Sequence, residues 1–251
     1  AEVDLARGRR AQLLGAGGTA GGEVAGRRGV GGAGTVWGGR YADACDAWLR
    51  RAGTAGALCG EAYDEPGVVA GQGTVGREVR KQADIDTVLV AVGGGGLAAG
   101  VRLGVGPDVK LVAVEPERIP TLHTALAAGR PVDVEVGGVA ADALGARRIG
   151  NLAFEVLAAH QAHGSHTVHR SHHVHGSHHV QSVLVTESAI VQTRQRLWDQ
   201  LKLVSEPGGA TAAAALLSGV YAPEPGERVA VIICGANTDP SDLVAQREQA
   251  G

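Results

Sequence analysis

The chain has 251 residues, a formal net charge of −3 and 44% hydrophobic residues, enough for one large or two modest domains. A weakly acidic chain has no electrostatic basis for binding nucleic acid, and no apolar run is long enough to span a membrane. The three cysteines are odd in number and lack Cys-x-x-Cys spacing, which argues against a disulfide framework and favours a reducing compartment. The first residue is not methionine and no signal-peptide pattern follows it, so we expect a processed or truncated cytoplasmic chain.

The N-terminal segment of the chain is rich in glycine, and order is expected only after it. Residues 1–39 contain few large apolar side chains, so burial can hardly offset the entropy of ordering them, and we expect a poorly structured segment. Helical spacing begins near Arg40, and 57–63 is a candidate short strand. Asp64 is predicted to cap a following helix that has Pro66 in its first turn.

Residues 84–251 alternate between apolar strands and amphipathic helices. Strands are predicted at 85–90, 109–114, 183–185 and 229–234, and helices at 121–128, 140–160, 187–203 and 207–217. This alternation indicates an α/β fold with a parallel sheet covered on both faces. Ligands of such sheets bind beyond the carboxyl ends of the strands.

A run of four glycines, Gly93–Gly96, lies between the first of these strands and a helix that starts near Leu97. Glycines at a helix N-terminus expose backbone N–H groups where the helix dipole is positive, which suits a phosphate. The alternative is a tight turn in which glycine merely permits close packing. The run of four favours the phosphate site.

One candidate ligand for this loop is a dinucleotide. Gly94, Gly96 and Ala99 match the pattern Gly-x-Gly-x-x-Ala after a strand. Glu115 ends the next strand about twenty residues later, where a ribose-binding acid would lie. The pattern also arises easily in glycine-rich sequence, so it does not decide the ligand.

A histidine-rich tandem interrupts the alternation between 159 and 180. Three hexapeptides of the type His-x-Ser-His-x-Val follow one another, and histidines recur every third residue. Such a tract can bind a divalent metal weakly. We favour a solvent-exposed insertion produced by repeat expansion, because the tract has no apolar face on which to fold.

Several motifs occur in the order found in one enzyme family. They are Tyr63–Thr74, Val90–Leu97, Val112–Pro116, Ser205–Thr211 and Ile233–Asn237. From about Arg40 to the C-terminus, apart from the histidine insertion, the chain resembles the pyridoxal-phosphate-dependent serine/threonine dehydratases of fold type II. The resemblance implies a doubly wound, mostly parallel sheet that is incomplete at its N-terminus. It also implies that 40–83 is a remnant of the small domain with a connecting helix, and that 84–251 is the large cofactor-binding domain.

The resemblance implies a cofactor, a substrate class and site residues. The cofactor is pyridoxal 5′-phosphate, and intact relatives convert L-serine or L-threonine to a 2-oxo acid and ammonia, commonly as homodimers. Gly93, Gly94, Gly95 and Gly96 would hold the phosphate, and Leu97 would open the helix behind it. Cys234 matches the Ser or Cys at the pyridine nitrogen, and Glu206 would lie near the ring, unless each serves the fold alone. Some relatives bind a divalent metal near the acid that matches Glu115, but Thr121 stands in place of the second acid.

Two family motifs are missing, and both carry chemistry. The Ser-Phe-Lys-x-Arg-Gly stretch with the Schiff-base lysine and the Ser-Gly-Asn-His loop do not occur in the chain. Its lysines are Lys81, Lys110 and Lys202, which fall at two helix ends and a strand start. We therefore assign no catalytic residue and expect little or no dehydratase activity from this chain alone. The alternatives are a non-catalytic pyridoxal-phosphate- or dinucleotide-binding module, or a frame-shifted product without a settled function.

Overall fold

The computed structural model describes residues 12–15, 33–36, 63–159 and 180–248, and it divides the chain into two units between Ala62 and Tyr63. In the first unit, β1 (Gln12–Gly15) pairs in parallel with β2 (Ala33–Val36). The helix predicted from Arg40 and nearly all of the strand predicted at 57–63 lie outside the described residues. The histidine tandem between 160 and 179 does so too.

The second unit is built on a parallel sheet of four described strands. They are β3 (Thr87–Ala91), β4 (Lys110–Pro116), β5 (Val180–Val185) and β6 (Val229–Val231). Their order in the sheet is β5-β4-β3-β6, and every pairing is parallel. The predicted parallel sheet is confirmed. β6 is shorter than the predicted 229–234, because only the Ile232 N–H still bonds to β3 before the chain turns at Gly235, where φ is 79°.

Eight helices flank the strands in the described part of the second unit. They are α1 (Pro66–Gln82), α2 (Gly96–Val105), α3 (Thr121–Ala128), α4 (Ala141–Leu144), α5 (Asn151–Ala158), α6 (Glu187–Arg196), α7 (Pro207–Leu217) and α8 (Ser241–Glu248). α3 and α7 have the predicted bounds. The helix expected at 140–160 is two helices, because the chain leaves helical geometry between Gly145 and Gly150. The one expected at 187–203 ends at Arg196 and continues as a π-helical turn over Leu197–Leu201. Among the described residues, every helix is too short or too polar for a bilayer span.

The alternation of side chains along β3 creates two cores. Val88 and Val90 face one core, together with residues of α2, α3 and α5. Leu89 and Ala91 face the other, together with residues of α6 and α7. Apolar residues on both faces of a strand are what a parallel sheet covered on two sides requires. The predicted doubly wound fold is therefore confirmed.

Helices α1 and α2 pack backbone to backbone. A side-chain Cβ at Gly104 would lie 2.1 Å from the Gly73 carbonyl oxygen, and one at Gly100 would lie 2.5 Å from that of Val69. Glycine is what allows this approach. This packing agrees with the position of α1 within the second unit.

The helix cap predicted at Asp64 serves a different helix. The residue before α1 is Glu65, which makes no side-chain cap. The Asp64 carboxylate instead accepts the N–H groups of Asn151 at 2.8 Å and Leu152 at 2.9 Å, which open α5. The local pattern was correct as a capping residue but wrong about the helix it caps, because the partner comes from a distant part of the chain.

Candidate functional site

The chain reverses its order across the sheet between β3 and β6. From β3 it proceeds through β4 to β5, and it then returns to place β6 on the free side of β3. Such a switch point leaves a crevice at the carboxyl ends of the two strands. Gly93–Gly96 follow β3 there, and Cys234 follows β6.

The glycine loop is packed on its protein side and ends as a helix N-terminus. Gly95 has φ 90° and is the residue before α2. A Cβ at Gly94 would meet the Tyr63 ring at 2.4 Å, and one at Gly95 would meet Ala153 at 2.8 Å. The packing explanation for the glycines is thus correct for these positions. It coexists with the anion-binding explanation, because the first N–H groups of α2 have no partner within their own helix.

Two carbonyls of the loop are held by groups from elsewhere in the fold. Gly93 O accepts the Thr121 hydroxyl at 2.6 Å. Gly94 O accepts the N–H of Gly150 at 3.0 Å. The loop is therefore fixed from α3 and from the segment that opens α5.

Glu115 at the end of β4 is fully buried. Its two carboxylate oxygens accept the N–H groups of Leu122 at 2.7 Å and His123 at 2.8 Å. Burial raises the pKa of this carboxyl to about 7, although hydrogen bonds to the charged form oppose the shift. Glu115 thus caps the N-terminus of α3 and is not available to bind a ribose. The dinucleotide interpretation depended on this residue and loses its support.

Thr121 stands where the resemblance implies a second metal-binding acid, and its hydroxyl faces Gly93 and Glu115. Within residues 63–159 and 180–248, the structure contains no cluster of three His, Cys, Asp or Glu side chains that could hold a metal ion. The residues around Glu115 therefore do not fit a bound divalent metal.

Cys234 and Glu206 are brought together by two glycines. A Cβ at Gly209 would lie 1.6 Å from the Cys234 carbonyl oxygen, and one at Gly235 would lie 2.0 Å from Glu206 Oε1. The Glu206 N–H also donates to Gly235 O at 3.1 Å. The Glu206 side chain thus lies against the turn after Cys234 and does not cap α7, which it precedes.

The environment of the Cys234 thiol keeps it protonated. Partial burial raises its pKa, and the negative charge of Glu206 raises it further. A neutral thiol in this position is a suitable partner for an unprotonated pyridine nitrogen.

The lysines lie away from this crevice or are already engaged. Lys110 is the first residue of β4 and so lies at the end of the strands opposite the crevice, with its Nζ 3.1 Å from Glu227 Oε1. Hydrogen bonds to Tyr221 and Glu227 raise its pKa in spite of burial, which makes it a poor nucleophile. Lys81 lies in the last turn of α1. At a rise of 1.5 Å per residue, it is about 20 Å from the first turn of α1, which is the end of the helix that follows Tyr63. Lys202 donates to Asp199 O at 2.9 Å and lies over the Trp198 ring.

Similarity to known proteins identifies the family of this chain. The family described as pyridoxal-phosphate dependent enzymes matches residues 19–235, and the chain belongs to that family. L-threonine ammonia-lyase of Thermotoga maritima is 32% identical over 203 residues, which is 79% of this chain and 46% of that protein. The biosynthetic L-threonine dehydratase of Escherichia coli is 34% identical over 196 residues, which is 75% of this chain and 35% of that protein.

A solved structure supports the same assignment. The processed form of threonine deaminase isoform 2 from Solanum lycopersicum superposes with a TM-score of 0.78 at 27% identity, covering 97% of this chain and 64% of that chain. The matched part of the chain spans less than half the length of either of the two curated relatives named above.

The crevice fits part of what this cofactor needs. The start of α2 offers N–H donors for a phosphate, and Cys234 offers a neutral group for the ring nitrogen. None of the three lysines lies at the carboxyl edge of β3 and β6 among the described residues. Tyr63 and Thr121, which pack against and hold the loop, were not predicted as site residues.

Proposed function

We propose that this chain is the cofactor-holding portion of a pyridoxal-phosphate-dependent L-serine or L-threonine ammonia-lyase. That reaction eliminates water from the amino acid and yields a 2-oxo acid and ammonia. The observation that carries the proposal is the placement of Gly93–Gly96 and Cys234 after two adjacent strands, β3 and β6, at the reversal of strand order. The proposal includes a cytoplasmic location, because the cysteines lack disulfide spacing. It also includes a homodimer, as the family resemblance implies.

The chain's own contribution is to bind and orient. The first turn of α2 presents N–H donors and the positive end of its dipole to the phosphate. The Cys234 thiol would contact the ring nitrogen. It stays protonated because partial burial and, in addition, the negative charge of Glu206 raise its pKa. Bound pyridoxal phosphate supplies an electron sink for negative charge at the α-carbon of the amino acid.

The same geometry limits what the chain does by itself. A lyase of this class needs an amine that holds the cofactor and moves the α-proton. The Lys110 ammonium is paired with Glu227 at the wrong edge of the sheet, and Lys81 is a helix length away. We therefore propose that the chain alone binds the cofactor without turning over serine or threonine.

Two measurements on the purified full chain test these statements. Calorimetric titration with pyridoxamine 5′-phosphate, which has no aldehyde to react with surface lysines, should show saturable binding. Cys234→Ser should bind like the unmodified chain, whereas Cys234→Ala should bind more weakly, by about fivefold for one lost hydrogen bond. Absence of binding to the unmodified chain would overturn the cofactor assignment.

The second measurement is 2-oxo acid formation from L-threonine and L-serine, with pyridoxal phosphate alone at the same concentration as the control. We expect the two rates to agree. A rate well above the control would contradict the proposal that the chain alone is inactive, but it would not contradict the proposal that the chain binds the cofactor. Titration with NADH completes the set, and tight binding of NADH would favour the dinucleotide alternative instead.

A further inference from the structure

The glycine loop has three successive carbonyls in hydrogen bonds. Gly93 O accepts from the Thr121 hydroxyl at 2.6 Å, Gly94 O from Gly150 N at 3.0 Å, and Gly95 O from Ala99 N at 2.9 Å. Each carbonyl belongs to a planar peptide whose N–H points in the opposite direction. Fixing these three carbonyls therefore fixes the directions of the next three N–H groups, those of Gly94, Gly95 and Gly96.

The first of these bonds differs in origin from the other two. Gly150 and Ala99 donate through their backbone, so no substitution removes those bonds without also disturbing the chain path. Thr121 donates through a side chain that is fully buried and comes from α3, 28 positions away in sequence. The direction of the Gly94 N–H thus depends on one hydroxyl group.

We propose that Thr121 is a positioning residue for the phosphate of the cofactor. Its hydroxyl holds the Gly93 carbonyl toward α3, so that the Gly94 N–H is directed to the opposite side, toward the crevice. This inference rests on the proposed function, and it adds a residue outside the loop that determines affinity for the phosphate group in particular.

The surroundings of Thr121 keep its hydroxyl in place. Oγ1 lies 3.1 Å from Glu115 Oε1, in addition to its shorter contact with Gly93 O. A hydroxyl carries one proton, and the shorter distance assigns that proton to Gly93 O. Glu115 is itself held by Leu122 N and His123 N. The threonine therefore lies between a fixed acid and the loop, which leaves its side chain little freedom to rotate.

The test compares ligands with and without a phosphate. Calorimetry gives the affinities of the full chain for pyridoxamine 5′-phosphate and for pyridoxamine. Thr121→Val keeps the side-chain volume and removes the donor, so we expect it to weaken binding of the phosphorylated ligand about fivefold to tenfold. Binding of pyridoxamine should be unchanged. Thr121→Ser should restore the affinity, and Thr124→Val, the same change one turn along α3, should have no effect.

A purely structural role for Thr121 predicts a different pattern. In that case Thr121→Val would weaken both ligands alike, and this result, or equal binding by Thr121→Val and the unmodified chain, would overturn the proposal. Should Thr121→Val fail to fold, Thr121→Cys supplies a near-isosteric side chain with a weak donor and is expected to show the same selective loss.

Amide hydrogen exchange without ligand separates this inference from the proposed function. Exchange in a peptide covering 92–98 should be faster in Thr121→Val than in the unmodified chain or Thr124→Val. Unchanged exchange would overturn the role of Thr121 whatever the ligands do. Faster exchange together with a failure of the unmodified chain to bind either ligand would support the hydroxyl's hold on the loop and overturn the cofactor assignment.

Discussion

Asp64 and Asn151 are 87 positions apart in sequence, yet the Asn151 N–H donates to the Asp64 carboxylate at 2.8 Å. The other carboxylate oxygen accepts the Leu152 N–H at 2.9 Å. The residue before this pair of donors is Gly150, whose own N–H holds the Gly94 carbonyl. The aspartate before α1 therefore stabilises α5 and also locates one support of the glycine loop.

Removal of this cap should destabilise the fold measurably. We expect Asp64→Ala to lower the free energy of unfolding by about 1–2 kcal/mol, because two N–H groups lose a charged acceptor. Asp64→Asn should lose less, since an amide still offers one acceptor oxygen. Urea unfolding followed by circular dichroism gives the values. Glu117→Ala, which removes an exposed carboxylate, serves as the control, and a loss as large as that of Asp64→Ala would contradict the explanation.

Two glycines that look alike in sequence should respond in opposite ways to alanine. At Gly71, in the middle of α1, a Cβ would have nothing within 4 Å, so Gly71→Ala should stabilise the chain by about 0.5–1 kcal/mol through helix propensity. At Gly104 the new methyl would meet the Gly73 carbonyl oxygen at 2.1 Å. Gly104→Ala should destabilise by at least about 1–3 kcal/mol, the usual cost of overpacking. Thermal unfolding of both variants decides, and equal shifts of Tm would show that α1 and α2 are not in backbone contact.

Features that depend on local sequence patterns were predicted correctly. Contacts between segments that are distant in sequence were not. The bounds of α3 and α7 followed from residue spacing and from Pro207, and the parallel sheet followed from the alternation of elements. The helix capped by Asp64 was wrong because its partner lies 87 positions away. Gly93–Gly96 were predicted from the glycine run between a strand and a helix, and Cys234 from the family resemblance. The threonine that holds the loop has no local signature, because a buried Thr in a helix is common.

Glu227, which lies at the amino ends of the strands, should make the stability of the fold sensitive to acid. Burial alone would raise the pKa of Glu227, but its hydrogen bonds lower that pKa to about 2. The donors are Thr87, Tyr221, the Glu224 N–H and Lys110. A lowered carboxyl pKa contributes stability above the unfolded value of about 4.5, and that contribution is lost as the pH falls toward 2.

The comparison of Glu227→Gln with the unmodified chain isolates this contribution. At pH 6 the variant should be less stable by about 1–2 kcal/mol, a value reduced for solvent screening, and the difference should shrink between pH 4.5 and pH 2. Urea unfolding at several pH values measures it. Glu224→Gln changes an exposed acid in the same turn and should show no such trend, and a pH-independent difference for Glu227→Gln would rule out the ionised pair.

Glu115 should affect stability with the opposite sign. Burial raises its pKa to about 7 in the folded chain, so the folded state binds a proton more tightly than the unfolded state does between pH 4.5 and pH 7. Its contribution is complete below about pH 4.5 and is lost as the pH rises to 7, on the order of 1–3 kcal/mol. Carbon-13 NMR of glutamate carboxyls should reveal one resonance that titrates near pH 7. A spectrum in which every glutamate titrates below pH 5 would disprove this assignment.

Arg194 should control the exposure of Cys234, because its guanidinium connects the residue before Glu206 to the segment that follows Cys234. The side chain is buried and donates to Ser205 O at 2.6 Å and to Thr238 Oγ1 at 3.0 Å, and it forms an ion pair with Asp242. We expect Arg194→Gln to cost about 2 kcal/mol in unfolding free energy, less than a fully buried pair because Asp242 is half exposed.

The more specific result is chemical. In a background where Cys45 and Cys59 are serine, the Cys234 thiol should react with Ellman's reagent several-fold faster in Arg194→Gln than in the parent, since the turn after β6 loses its attachment. Arg196→Gln, an exposed arginine on the same helix, should leave the rate unchanged. Equal rates in all three proteins would show that the position of Cys234 depends on its contacts with Gly209 and Glu206 alone and does not require the arginine.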